Sequence, residues 1–114
     1  MGVAFTPLHP LFAAEVTGID LREPVNAENV TAIDNAMATY GVLVFRSQDI
    51  DAEQHSAFTK NFGPLDAGLT LAIARKPRLE NTDVIDLANF DESGEVLPVD
   101  NARTVSLIAN QLWH

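Results

Sequence analysis

Cysteine is missing from the 114 residues, so neither a disulfide nor a thiolate-bound metal site exists in this chain. That fits a reducing compartment. Basic residues are scarce: seven Lys and Arg stand against 16 Asp and Glu, a formal net charge of -9. Such a surface repels phosphate backbones and anionic headgroups, which argues against nucleic acid and anionic membranes as partners. A small anionic substrate stays admissible where a local basic pocket overrides the net charge, and a homo-oligomer is left open. No apolar run approaches the roughly 20 residues that span a bilayer. Met1 to Ala14 lacks a basic n-region and is interrupted by Pro7 and Pro10, unlike a signal peptide. A cytoplasmic location is the default. There is no internal repeat, no Gly-rich phosphate loop, no Ser-centred nucleophile elbow and no EF-hand spacing.

What is present is an ordinary globular composition, 46% hydrophobic and 20% charged, in a length that suits one domain. The first ten residues read as an extended lead-in, and Ala13 to Ile19 as a short strand closed by Gly18 and Asp20. Asn26 is a favoured N-cap with Glu28 in the following first turn, where the helix dipole favours an anion. Val30, Ile33, Met37 and Tyr40 share one helical face, and Gly41 stands where the helix should stop. Val42 to Phe45 is a continuous apolar run that suits a strand buried on both sides. Asp51 and Gln54 have the spacing of a capping box, predicting a second helix with His55, Phe58 and Phe62 inward, broken at Gly63 and Pro64.

Leu69 to Ile73 reads as a strand or part of a loop, next to a basic cluster of Arg75, Lys76 and Arg78. Asp83 to Leu87 is a strand candidate, and Glu92 to Glu95 a turn leading by a hairpin into Val96 and Leu97. Seven acidic residues and no Lys or Arg lie between Glu80 and Asp100, most simply a solvated edge. Val105 to His114 is an apolar stretch ending on Trp113 and His114. It reads as a buried element caught in mid-course, so the sequence is expected to continue. The alternative is a small domain whose last strand docks in a sheet. Lacking strands to cover its apolar faces, the isolated chain is expected to aggregate or fold only in part.

Four segments in order carry a resemblance. They are Leu8 to Ala14 (LHPLFAA) with Val16 to Leu21 (VTGIDL), Gly41 to Gln48 (GVLVFRSQ), Phe58 with Asn61 to Leu65 (NFGPL), and Asn110 to His114 (NQLWH). Together they resemble the TauD/TfdA family of Fe(II)/2-oxoglutarate-dependent dioxygenases, most nearly its 2,4-dichlorophenoxyacetate dioxygenase branch, over about Leu8 to His114. The resemblance implies a mixed α/β fold. Residues 1–114 would be the N-terminal part of a single double-stranded β-helix (jelly roll) domain with flanking helices, the barrel incomplete in this chain. It implies Fe(II), 2-oxoglutarate as cosubstrate and O₂, with iron held by a His-x-Asp pair and a distant His. That facial triad leaves coordination positions open. Oxidative decarboxylation of 2-oxoglutarate would then supply the oxidant that hydroxylates a C–H bond.

By the resemblance His114 is the first metal ligand, preceded by the aromatic Trp113. The Asp, the second His, and the Thr and Arg that hold 2-oxoglutarate would lie beyond it, so this stretch alone is expected to be inactive. Asn110 corresponds to a substrate contact, with a polar residue on a sheet edge as the plainer reading. Leu71 and Glu95 stand where relatives of the herbicide-degrading type present lysines toward a substrate carboxylate. That departure argues against efficient 2,4-dichlorophenoxyacetate turnover unless Arg75, Lys76 and Arg78 compensate. His9 reads as structural, and His55 as a core or boundary histidine. Three functional readings follow: a dioxygenase of a small carboxylate such as an aryloxyacetate, a truncated binding protein without catalysis, or a dioxygenase of another substrate such as a sulfonate.

Overall fold

The computed structural model describes residues 2–66, 80–85 and 88–108, with a mixed α/β content. The chain divides into two units, Met1–Asp66 and Ala67–His114.

In the first unit the presumed lead-in is a strand. β1 (Ala4–Pro7) runs antiparallel to β2 (Ala14–Thr17), pairing Ala4 with Thr17 and Pro7 with Ala14. Period-2 alternation is short here and Pro7 masks it, which is why the sequence read as an extended lead-in without a strand. β2 lies within the expected strand, and Gly18 is needed just after it. Its φ is +77°, and a Cβ there would come within 2.9 Å of the Gly2 carbonyl oxygen.

α1 (Ala27–Tyr40) begins at Asn26, whose side chain accepts from Asn29 N. It ends at Gly41, left-handed at φ 72°, whose N–H donates to the Met37 carbonyl. The buried face is Ile33 and Ala36, with Val30 and Tyr40 half-buried; Met37 is 46% exposed. Met37 is only about 40° around the helix from Ile33 but about 100° from Ala36, so the buried stripe is centred between Ile33 and Ala36 and leaves Met37 at its rim.

β3 (Leu43–Phe45) follows directly and is parallel to β2, giving the sheet order β1-β2-β3. It is half-buried rather than buried on both sides, and Val42 is 47% exposed. β3 lies at an edge of the described sheet, so its apolar run finds only part of a cover. α2 (Ala52–Lys60) starts at Asp51 with the full capping box: Asp51 accepts from Gln54 N, and Gln54 Oε1 accepts from Asp51 N. Phe45, Phe58 and Phe62 form an edge-to-face series with centroids 5.6 and 5.3 Å apart. The inward face differs from the expected one. Ser56 is buried, His55 is exposed and Phe62 is 39% exposed.

Among the described residues, Ala13, Ala14, Val16, Leu21, Ile33 and Ala36 make up the buried apolar core, all from the first unit. In the second unit Phe90 pairs with Val96 in an isolated antiparallel bridge, as the expected hairpin requires. Asp83 and Val84 lie in a turn instead of a strand, the Asp83 N–H bonding to Asn81 Oδ1. Asp86 and Leu87 lie outside the described residues. α3 (Ala102–Ile108) occupies the start of the final apolar stretch. A buried element was expected there, yet Val105 is 53% and Ile108 51% exposed.

Candidate functional site

Glu95 is the one assigned site residue within the described parts; Leu71, Asn110 and His114 lie outside them. It ends a turn organised by Asp91, whose Oδ1 accepts from Ser93 N (2.8 Å), Ser93 Oγ (2.6 Å) and Glu95 N (3.0 Å). Asp91 N in turn donates to the Glu95 carbonyl at 2.8 Å. These bonds to the charged form, the Ser93 hydroxyl first, hold the Asp91 carboxyl below its ordinary value. Asp91, Glu92 and Glu95 thus place three carboxylates on one five-residue turn. Whatever approaches it meets negative charge, and an anionic group gains nothing there.

Metal chemistry finds no support among the described side chains. No group of three His, Cys, Asp or Glu among them could hold an ion. His9 turns its Nδ1 to the Leu11 N–H (3.1 Å) and its ring to Phe12, with centroids 4.9 Å apart, a local loop contact. His55 stands exposed on α2. No set of described side chains could hold Fe(II), and His114 lies outside them.

Two open hollows lie in the first unit. One of about 220 Å³ is lined by Leu21, Pro24, Val25, Ala57 and Phe58, with Arg22 and Glu23 at it. The other, about 260 Å³, is bordered by Ile19, Asp20, Arg22, Ser47, Gln48 and Asp49. Asp20 and Arg22 form a fork, Arg22 Nη2 donating to Asp20 Oδ2 at 2.6 Å and Nε to Oδ1 at 2.9 Å. That guanidinium lowers the Asp20 carboxyl to about 2. A carboxylate so stabilised is a poor proton acceptor near neutrality. Beside it Gln48 accepts from Leu21 N (2.9 Å) and donates to the carbonyls of Ile19 and Arg46, both at 3.3 Å. Sequence reasoning foresaw neither the Asp20–Arg22 fork nor the bonds of Gln48. The Asp-x-Arg spacing was the one available hint for the fork, and Gln48 carries none for its link to β2, because Ile19 and Leu21 are 29 and 27 residues away. Gln48 is architectural: it ties the segment after β2 to the segment after β3 where the ladder stops, while the fork stays local to residues 20–22.

The family model described as taurine catabolism dioxygenase TauD, TfdA family matches residues 4–114. The chain belongs to this family. Within the TauD/TfdA family it is similar to the alpha-ketoglutarate-dependent 2,4-dichlorophenoxyacetate dioxygenase of Cupriavidus pinatubonensis (strain JMP 134 / LMG 1197), at 42% identity over 114 residues, 100% of this chain and 40% of the relative. A protein of the same name from Burkholderia sp. (strain RASC) is 36% identical over 107 residues, 94% of this chain and 36% of that one. Among solved structures, that of AAD-2 in complex with Mn(II) and N-oxalylglycine superposes with a TM-score of 0.81 at 32% identity, covering 100% of this chain and 36% of that chain. The TauD/TfdA chain described here thus spans about two fifths or less of the length of these relatives.

Proposed function

We propose that residues 1–114 are the N-terminal part of one TauD/TfdA dioxygenase domain, an Fe(II)/2-oxoglutarate-dependent enzyme that hydroxylates a small carboxylate such as an aryloxyacetate in the cytoplasm. The single observation that carries this is the 42% identity to a 2,4-dichlorophenoxyacetate dioxygenase along the whole of this chain. The AAD-2 complex supports the cofactor assignment, because N-oxalylglycine presents the same 2-oxo acid and distal carboxylate as 2-oxoglutarate. Double-stranded β-helix architecture belongs to the same reading: β1, β2 and β3 would contribute to its sheets, while α1 and α2 lie outside.

His114 is assigned as the first iron ligand and Asn110 as a substrate contact. Leu71 and Glu95 flank the substrate. Bound iron would supply the activation of O₂ that couples 2-oxoglutarate decarboxylation to substrate oxidation. This chain's described residues contribute scaffold and the acidic turn. With Glu95 there in place of a cation, the substrate carboxylate must find its positive partner elsewhere.

Reading the coding sequence past His114 tests the assignment first. The expected continuation is any residue, then Asp, with a His, a Thr and an Arg further on. The family-length protein, given Fe(II) and 2-oxoglutarate, should then release succinate in step with loss of an aryloxyacetate. A continuation without the His-x-Asp pair, or 2-oxoglutarate turnover that no member of a carboxylate panel stimulates, sinks the proposal.

A further inference from the structure

Arg22, Arg46 and Arg103 are the arginines among the described residues, and the first two turn their Nε to a carboxylate. Arg22 takes Asp20 side-on, Nε to Oδ1 at 2.9 Å and Nη2 to Oδ2 at 2.6 Å. Arg46 Nε lies 3.3 Å from Glu15 Oε2. Arg103 differs. Its Nη1 donates to the Phe90 carbonyl at 2.8 Å, while its Nε is buried with no hydrogen-bond partner. The hydroxyl of Thr104, next along α3, is buried and unpartnered too. Both groups can donate, so what this turn lacks is acceptors. Leaving a buried charged donor unsatisfied costs more than leaving a neutral one, and so exceptional a group needs an account.

The surrounding sequence sharpens the point. Arg103 is the only Lys or Arg from Glu80 to His114, in the company of seven Asp and Glu. Among the described residues it pairs with none of them. A cation kept apart from so many carboxylates retains its full attraction for another. Its place is suited to that use. Through the Phe90 carbonyl Arg103 is anchored to the residue that bridges Val96, directly after Glu95. Glu95 flanks the substrate in the functional reading and offers a carboxylate nothing.

We propose that Arg103 is the substrate-binding cation of the family-length protein, receiving the carboxylate of an aryloxyacetate on the Nε–Nη2 edge of its guanidinium. The proposal rests on the functional reading for that substrate class. The Arg22–Asp20 fork is the same geometry within this chain, two N–H···O bonds from one edge. Nη1 stays on Phe90 and fixes the plane of the guanidinium before a substrate arrives. Shielding Nε from water strengthens the pair, because the local dielectric is low.

Equilibrium binding to the family-length protein tests this, with Mn(II) and N-oxalylglycine present as in the AAD-2 complex. The probes are phenoxyacetate and phenoxyacetamide, alike in shape and different in charge. Arg103→Gln should weaken the acid by about 10–100-fold and the amide by less than about threefold. Arg103→Lys keeps the charge, loses the fork, and should fall between. Acid and amide are compared on one protein, so a general loss of structure weakens both and does not mimic the result. If Arg103→Gln fails to fold, the acid preference of Arg103→Lys decides. Equal weakening of both probes overturns the inference, as does an unsubstituted protein that binds neither. An acid preference that survives the substitutions also overturns it and moves the positive partner to Arg75, Lys76 or Arg78. The two claims fail separately. Acid binding through Arg103 in a protein that turns over no 2-oxoglutarate ends only the enzymatic reading. An active dioxygenase whose acid preference ignores Arg103 ends only this one.

Discussion

Met1–Asp66 and the described part of Ala67–His114 are built on different principles. The first unit encloses every buried apolar residue among those described, and each of its two helices carries its N-cap. The bonds of the second include one bridge, the Leu97 N–H to Asn89 carbonyl bond, the Asp91 turn and a hydrogen bond from Arg103 Nη1 to the Phe90 carbonyl at 2.8 Å. This unit leaves Val96 at 64% and Val99 at 82% exposure, and Arg103 Nε and Thr104 Oγ1 buried without a hydrogen-bond partner. The lesson is that local turn chemistry can shape a segment that has little core of its own, but shape alone contributes little stability.

Substitutions in the two units should differ accordingly. Ile33→Ala removes a side chain only 3% exposed and should destabilise the first unit by about 2–4 kcal/mol, read from exchange of the β2 amides. Gln48→Ala should cost about 1–3 kcal/mol by the same measurement, because Leu21 N–H loses its acceptor in a half-buried position. Asp51→Ala should cost about 1 kcal/mol through loss of the capping box. In the second unit, Val105→Ala on the exposed face of α3 should change stability by less than about 0.5 kcal/mol. A loss at Val105 as large as that at Ile33 would erase the contrast between the units.

The smallest effect is electrostatic. Asp20 has a folded-state carboxyl lowered to about 2 by Arg22, so the pair contributes stability above the ordinary carboxylate range and loses it as pH falls through about 2. An NMR titration should find the Asp20 midpoint near 2, and Arg22→Gln should move it upward. An unchanged midpoint in that variant would remove the guanidinium as the cause.

Legibility along the chain followed the range of the interactions. Asn26, Gly41, and Asp51 with Gln54 were readable because a cap is made within four residues, and each stands in the role its spacing implies. The turn before Val96 was readable for the same reason. β1 was not, since a four-residue strand containing Pro7 shows no period and is defined by its partner Ala14–Thr17. Burial was misjudged at Met37, His55 and Phe62, where apolar or aromatic character alone could not say which face meets the sheet. Of the candidate site, Glu95 could be located on its turn. His114, Asn110 and Leu71 rest on the family resemblance, which no local pattern supplies.

By itself the sequence determined the bounds of α1, the start of α2, the acidic balance, the lack of thiol chemistry and membership of the TauD/TfdA family, but not the helix α3. Each depends on residue identity and short spacing, which survive without a folded context. Tertiary structure decided the antiparallel entry of β1, the parallel pairing of β2 with β3 and the Gln48 link. These depend on contacts across 7 to 29 positions of chain, where the register of main-chain hydrogen bonds is set by the fold as a whole.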